Sequence, residues 1–286
     1  MIDSDLPVFP QEIFDQIIEH ARTDREVLLA TSLVCRDWVQ TSRRYLFESI
    51  ILRPTTLKGF STLCCPTSSA RPTFLHHIRN IVFERSRSST ANYFSMPAPS
   101  VYLDRDLLGW LPVFKAVKNI SIWSIEWEST EILHRFSSLF PNATSLTLRA
   151  DALNKLSNSL TLICAFPTLQ SVYWSGGVTD TLNHAPLIAL PDLPRNRVLP
   201  SLLTTLSFDL DSFSRDALIR SIPLGDLRLQ TFEVYVCTSE SLSCLHNVIL
   251  FMEHHCLDVS VLSIVFHDTN DRYEDEWTDY WSFRTS

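Results

Sequence analysis

Glycine is scarce in this chain: five residues in 286, at Gly59, Gly109, Gly176, Gly177 and Gly225. That placement excludes G-x-G-x-x-G and G-x-x-x-x-G-K-[ST], the loops in which glycine lets backbone N–H groups close around dinucleotide or nucleoside phosphates. The G-x-S-x-G elbow and the H-E-x-x-H helix are missing as well. Seven cysteines cannot all pair within one chain, and no C-x-x-C occurs, so neither a disulfide framework nor a thiolate metal site is written here. No apolar run approaches the roughly 18 residues of a membrane-spanning helix, and Met1-Ile2-Asp3-Ser4-Asp5 has neither the positive flank nor the apolar stretch of a signal peptide. These absences predict a reduced, intracellular protein of the cytoplasm or nucleus, with no membrane partner. The sequons at Asn119 and Asn142 are then expected to be unmodified. Positive charge is also in deficit, with 24 Lys and Arg against 32 Asp and Glu and a net charge of −8, which removes the broad attraction behind non-specific nucleic-acid binding.

What the chain does have is enough apolar content to fold: 45% apolar residues, 20% charged and a mean hydropathy of +0.05. Its length suits one large core, or a small module joined to a larger domain. Local signals are densest from residue 9 to residue 47. Pro10 suits a first helical position, and Ile13, Phe14, Ile17 and Ile18 recur at the 3,4 spacing of one helix face. Thr23 and Glu26 have the spacing of a capping box, so a second helix is predicted from near Asp24. A third carries Trp38, Val39, Tyr45, Leu46 and Phe47. A block of about 40 residues without cross-link or metal is near the lower limit of independent stability, so it is expected to lean on the rest of the chain, on a partner, or on both.

Phe9-Pro10-Gln11-Glu12-Ile13-Phe14-Asp15-Gln16-Ile17-Ile18, followed by Ser32-Leu33-Val34-Cys35-Arg36-Asp37-Trp38, resembles the F-box family, whose pattern opens Leu-Pro-x-Glu-Leu/Ile and later carries Val-Cys-Arg/Lys-x-Trp. Phe9 stands where the family has leucine. Arg43-Arg44-Tyr45-Leu46-Phe47 is similar to the version common in large fungal families of this type. The resemblance covers under a fifth of the chain, and its two blocks match in order. It implies a three-helix module, residues 5–50, that docks on the Skp-family linker protein and through it on a cullin-RING ubiquitin ligase. By motif, the linker-facing residues are Pro10, Ile13, Ile17, Leu33, Val34, Cys35 and Trp38. Such a contact is helix-in-groove recognition, with a buried tryptophan as a natural hot spot. The same residues read equally as the module's own core, with Cys35 a small buried hydrophobe rather than a nucleophile.

Beyond residue 50 the texture changes. Residues 61–73 and 84–100, rich in serine, proline and arginine, read as loops on either side of Ile81-Val82-Phe83, and residues 51–110 as a linking segment or first irregular repeat. From residue 111 to the end, a weak repeat emerges. Ile120-Ser121-Ile122, Leu146-Thr147-Leu148 and Val172-Tyr173-Trp174 are spaced by 26 residues; Leu206-Ser207-Phe208 and Phe232-Glu233-Val234 repeat that step, and Leu262-Ser263-Ile264 closes the series. Lead-ins match too: Phe140-Pro141-Asn142-Ala143-Thr144-Ser145 against Phe166-Pro167-Thr168-Leu169-Gln170-Ser171. A unit of this length with one strand and one helical return lies inside the range expected for leucine-rich repeats; without that family's regular asparagine or cysteine after the strand it resembles an irregular version, the alternative being a general α/β domain whose strands happen to recur. The predicted fold is therefore α/β: three helices, then a solenoid with a parallel sheet. The triplet ends should pack inward, while Ser121, Thr147, Tyr173, Ser207, Glu233 and Ser263 face out toward a target protein. Helical returns are expected at Ser129–Leu139, Asp151–Phe166, Ser214–Ser221 and Ser239–His254.

The proline-bearing insertion between residues 175 and 200 is a candidate target loop, and the acidic, aromatic end from Asp268 to Trp281 a candidate cap for the last repeat or a seat for a basic segment. Arg79, Arg85 and Arg87 read as a solvated turn. His76-His77 and His254-His255-Cys256 hold metal-capable atoms without the spacing that completes a tetrahedron, so no metal, cofactor or catalytic residue is assigned. Two functions follow: a non-enzymatic substrate receptor of a Skp-cullin-F-box ligase, or a repeat scaffold whose first three helices are only its cap.

Overall fold

The computed structural model describes residues 10–64, 73–84, 101–103, 105–123, 125–127, 129–149, 156–175, 199–209, 228–237, 249, 251–253 and 259–267. Three short helices come first: α1 (Gln11–His20), α2 (Arg25–Thr31) and α3 (Arg36–Leu46). Pro10 lies just outside α1, at φ −55° and ψ 145°, so it caps the helix rather than opening it. The cap of α2 is Asp24 rather than Thr23. One carboxylate oxygen of Asp24 accepts the N–H groups of both Glu26 and Val27 at 3.0 Å, and its negative charge suits the positive end of the helix dipole. The stripe expected on α1 divides. Ile18 is buried together with Leu28 of α2, and Phe14 rests on Trp38 of α3 with ring centroids 5.3 Å apart, while Ile13 and Ile17 stay outside. Polar groups stitch the three together, with Thr41 donating to Asp15 at 2.6 Å and the Thr31 and Ser42 hydroxyls 2.9 Å apart.

After α3 the chain becomes an α/β repeat-like arrangement. Its strands are β1 (Ser49–Leu52), β2 (Asn80–Phe83), β3 (Val101–Leu103), β4 (Asn119–Ile122), β5 (Ile125–Trp127), β6 (Ser145–Arg149), β7 (Ser171–Ser175), β8 (Thr205–Asp209), β9 (Thr231–Cys237) and β10 (Val261–His267). Eight form one parallel sheet in the order β1-β2-β4-β6-β7-β8-β9-β10; β3 and β5 form a small parallel pair of their own. Parallel neighbours require crossover connections. Helices α4 (Pro54–Cys64), α5 (Arg105–Trp110), α6 (Thr130–Ser138) and α7 (Leu156–Cys164), with a 3-10 turn at Thr73–His77, lie in those connections. The sheet thus reaches back to Ser49, well before the first repeated triplet.

One backbone device recurs at every step of the sheet. The carbonyl of Glu48 accepts two successive N–H groups, from Arg79 and Asn80; that of Arg79 accepts from Lys118 and Asn119, and that of Lys118 from Thr144 and Ser145. Thr144, Gln170, Thr204 and Gln230 continue the series to Ser260 and Val261. Each strand is therefore registered against the last at its first residue, which carries the 26-residue spacing of the sequence into space. Polar side chains add to it where the strands begin: the Asn119 amide donates to Asn80, and the Asn80 amide to Ser49, both at 2.7 Å. The residues that looked like sequons are engaged, Asn142 donating to the Lys115 carbonyl at 2.8 Å.

The core lies between the sheet and the connecting helices. Ile120, Ile122, Leu146, Leu148, Val172, Trp174, Leu206, Phe208, Phe232 and Val234 are all buried, as the alternation requires. The lead-in motif explains itself here. Phe114, Phe140 and Phe166 each turn the chain into its strand, with Val117, Ala143 and Leu169 bonding back to them through their N–H groups, and Phe114 stacks on Phe140 at 5.3 Å. Phe136 of α6 fits among these rings, 5.3 Å from Phe83, 5.0 Å from Phe140 and 6.4 Å from Phe166.

Three expectations need correction. The span 61–73 is not loop throughout, because α4 runs to Cys64: Leu57, Ser61 and Cys64 recur at helical spacing and are buried, and the Ser61 hydroxyl satisfies itself on the Lys58 carbonyl. Leu262 and Ile264, expected inward, are 46% and 36% exposed on the last strand of the sheet. The return expected to reach Phe166 ends earlier, at Cys164 of α7, whereas α6 spans Thr130–Ser138 with Ser129 and Leu139 as its caps. Of the return expected at Ser239–His254, residues 249 and 251–253 are described and are helical. The return at Ser214–Ser221, the insertion from residue 176 to 198 and the acidic end from residue 268 lie outside the described residues.

Candidate interaction surfaces

Two surfaces bring together the residues singled out in the sequence. The first is on the helical block. Ile13 and Ile17, four residues apart on one face of α1, are 40% and 52% exposed. Leu33 and Val34, in the turn between α2 and α3, reach 86% and 62%. Pro10 and Cys35 are exposed as well. Cys35 is therefore not the buried hydrophobe that its small thiol suggested; it sits in extended backbone at φ −154°, just before α3. Trp38 behaves differently from the other six, half-buried against Phe14. The sequence reading missed Val27 and Leu29 of α2, also exposed; their only signal was two apolar residues flanking the buried Leu28. Exposed branched side chains are thus carried by α1, by α2 and by the turn between α2 and α3.

The second surface is the face of the sheet opposite the core. Ser121, Thr147, Tyr173, Ser207, Glu233 and Ser263 occupy one row, each directly opposite the next across β4, β6, β7, β8, β9 and β10. Val82 and Ile51 extend the row to β2 and β1. Two of the six do not face open solvent: Thr147 and Ser207 are buried. The reason at Ser207 is local. Tyr173 of β7 and Tyr235 of β9 reach across β8 until their ring centroids are 6.3 Å apart, edge to face. Below them the Ser207 hydroxyl donates to Glu233 Oε2 at 2.9 Å.

Sequence reading stopped at the triplets and so missed the next outward row, two residues further along each strand: Trp123, Arg149, Ser175, Asp209 and Tyr235. Strict alternation through Thr231-Phe232-Glu233-Val234-Tyr235 was the signal available. Arg149 lies over the Trp123 ring at 5.8 Å, a cation-π contact. On β7 to β9 the sign reverses, with Asp209 buried and Glu233 half-buried beside the two tyrosines. Burial, then the nearby Asp209 and Tyr235, push the Tyr173 hydroxyl far above its ordinary range, so it stays protonated as a hydrogen-bond donor at any physiological pH.

Elsewhere, a polar cleft of about 660 Å³ opens beside α1, α3 and His77, lined among others by Asp15, Arg36, Asp37 and Arg44. Its charges are of both signs, and Asp15 already accepts from Thr41 and Gln11. His76 and His77 lie side by side, 3.8 Å between ring centroids. Burial, His76, Arg44 and Arg79 together hold His77 below the usual histidine range. Among the described residues no three His, Cys, Asp or Glu side chains are grouped to hold a metal ion, and no helix is long and apolar enough to cross a membrane. The chain matches no protein-family model, and no curated protein matches it.

Proposed function

We propose that the protein is a substrate-recruiting adaptor of a Skp-cullin-F-box ubiquitin ligase. In this reading the three helices are an F-box module that grips the Skp-family linker, and the sheet domain is a leucine-rich-repeat-like solenoid that holds a protein target. The observation that carries it is the exposure of Ile13, Ile17, Leu33 and Val34 on a block whose own interior is filled by Phe14, Ile18 and Leu28. Those four are among the residues that the family resemblance assigns to the linker. An apolar helix face left outside a small module gains most by entering a partner's groove. Trp38, resting on Phe14, acts in this scheme as a brace that positions α3 as much as a contact.

The protein contributes no chemistry of its own. It brings target lysines near the charged conjugating enzyme and raises their effective concentration there. The alternative, a repeat scaffold with a helical cap, draws support from the junction, where Phe47 stacks on Phe74 at 4.5 Å and Glu48 starts the ladder of strand-registering bonds. Calorimetric titration with the purified Skp-family linker separates the two. The adaptor reading expects micromolar or tighter binding, weakened at least a hundredfold in an Ile17→Glu/Val34→Glu variant whose thermal unfolding is unchanged, because both side chains already face water. No binding by the folded wild-type chain leaves the scaffold.

A further inference from the structure

The two tyrosines on the outer face differ from the rest of that face in what they could bind. Its first row is polar and neutral, with Asn80, Asn119, Ser145, Ser171, Thr205 and Thr231 aligned at the strand starts. Along the next rows, one place concentrates both aromatic area and negative charge. Tyr173 and Tyr235 meet across β8 at 6.3 Å and 85°. Glu233 lies opposite Ser207 and shares β9 with Tyr235, while Asp209, opposite Ser175, ends β8 between the two strands that carry the rings. The Tyr173, Glu233 and Tyr235 side chains are each half-buried and keep part of their surface toward water.

We propose that the face formed by Tyr173, Glu233 and Tyr235, over the buried Ser207 and Asp209, docks a lysine or arginine side chain of a protein segment. Resting on the reading of the sheet domain as target-binding, this names the chemistry of the target. A cation is attracted both by the negative faces of the rings and by the carboxylates, and the two effects add most where the site is partly desolvated. An anion is refused at the same place by Asp209 and Glu233. Arg149, on β6 opposite Ser175 of β7, repels a cation and so limits the seat to the β7–β9 side. The neighbouring Ser207 hydroxyl, donating to Glu233, holds that carboxylate in place.

The test uses the full chain and two fluorescein-labelled dodecapeptides, one with four arginines and one with four glutamates in an otherwise Gly/Ser sequence, followed by anisotropy at physiological salt. The expected result is binding of the arginine peptide alone, weakened about tenfold in Glu233→Gln and in Tyr235→Leu but retained in Tyr235→Phe, which keeps the ring face. Asp106→Asn/Glu131→Gln, at two exposed sites on α5 and α6, removes two negative charges elsewhere and leaves the affinity unchanged. Equal loss in that control, equal affinity in Tyr235→Leu and Tyr235→Phe, or no binding of the arginine peptide overturns the proposal. Linker titration of the same preparations keeps the two readings apart. A chain that binds the linker and not the peptide keeps the adaptor function and loses this seat; one that binds the peptide and not the linker does the reverse.

Discussion

Phe136 and Cys64 show how much single side chains decide here. Phe136 touches rings from a strand, two lead-ins and the β3–β5 pair, with Trp127 5.0 Å away, and with the buried Ile132 and Leu133 it seats α6 on the core. Cys64 is buried at the end of α4, and burial pushes its thiol up to about 11 from 9.0. The unfolded chain ionises Cys64 first as pH rises, so it binds fewer protons than the folded chain between about pH 9 and 11, and stability falls across that window. Urea denaturation at pH 8 and pH 10 is expected to show a loss of stability that is smaller in Cys64→Ala, measured relative to each protein's own value at pH 8. Tyr173 and Tyr45, both raised by burial first, push in the same direction at higher pH. Reading the sequence could name Cys64 but not bury it, because the serines and threonines around it resemble a loop until Ser61 is seen bonding to the carbonyl three residues back.

Among the elements, α2 depends most on its cap. It has seven residues, too few to hold by propensity alone, and Asp24 satisfies two of its free N–H groups. Asp24→Ala is expected to lower stability by about 1 kcal/mol, and Asp24→Ser to restore most of it, as measured by chemical denaturation. The legible part of this element was its position; the choice between Thr23 and Asp24 rested on backbone angles that both residues permit. The strands were more legible than the helices. Alternation at Leu146-Thr147-Leu148 or Phe232-Glu233-Val234 fixes which side chain turns inward, whereas α7 is shorter than the apolar pattern that announced it, because that pattern continues into the Phe166 lead-in.

At the scale of the whole molecule, each strand of the main sheet is registered only by its neighbours, so stability should vary along the sheet rather than be uniform. Central strands β6 and β7 are flanked on both sides and backed by α6 and α7. Strand β10 pairs only with β9 among the described residues, and its Leu262 and Ile264 lie half open. Amide hydrogen exchange is expected to be slowest at residues 146–148 and 172–174 and to run at least tenfold faster at residues 262–264. Equal protection throughout would mean that the sheet opens only as one unit. The helical block, joined to the sheet by the Phe47–Phe74 stack, should be less protected than the central strands unless a partner covers Ile17 and Val34.

Sequence alone determined the periodicities: three helices, then strands returning at intervals that recur, with the inward and outward residues of each strand assigned by alternation of period two. It determined the row from Ser121 to Ser263, because a parallel sheet with constant lead-ins keeps equivalent residues opposite one another. Only the tertiary structure decided which residues remain outside once the chain is folded. Ile13 and Ile18 belong to one apolar stripe in sequence, yet packing against α2 and α3 covers one and leaves the other to water. Likewise Thr147 and Ser207 read as exposed from alternation and are buried, Ser207 where Tyr173 and Tyr235 meet across β8. Tyr173 and Tyr235 are 62 positions apart in sequence, and no local pattern states that they meet; the crossing of β8 between them does.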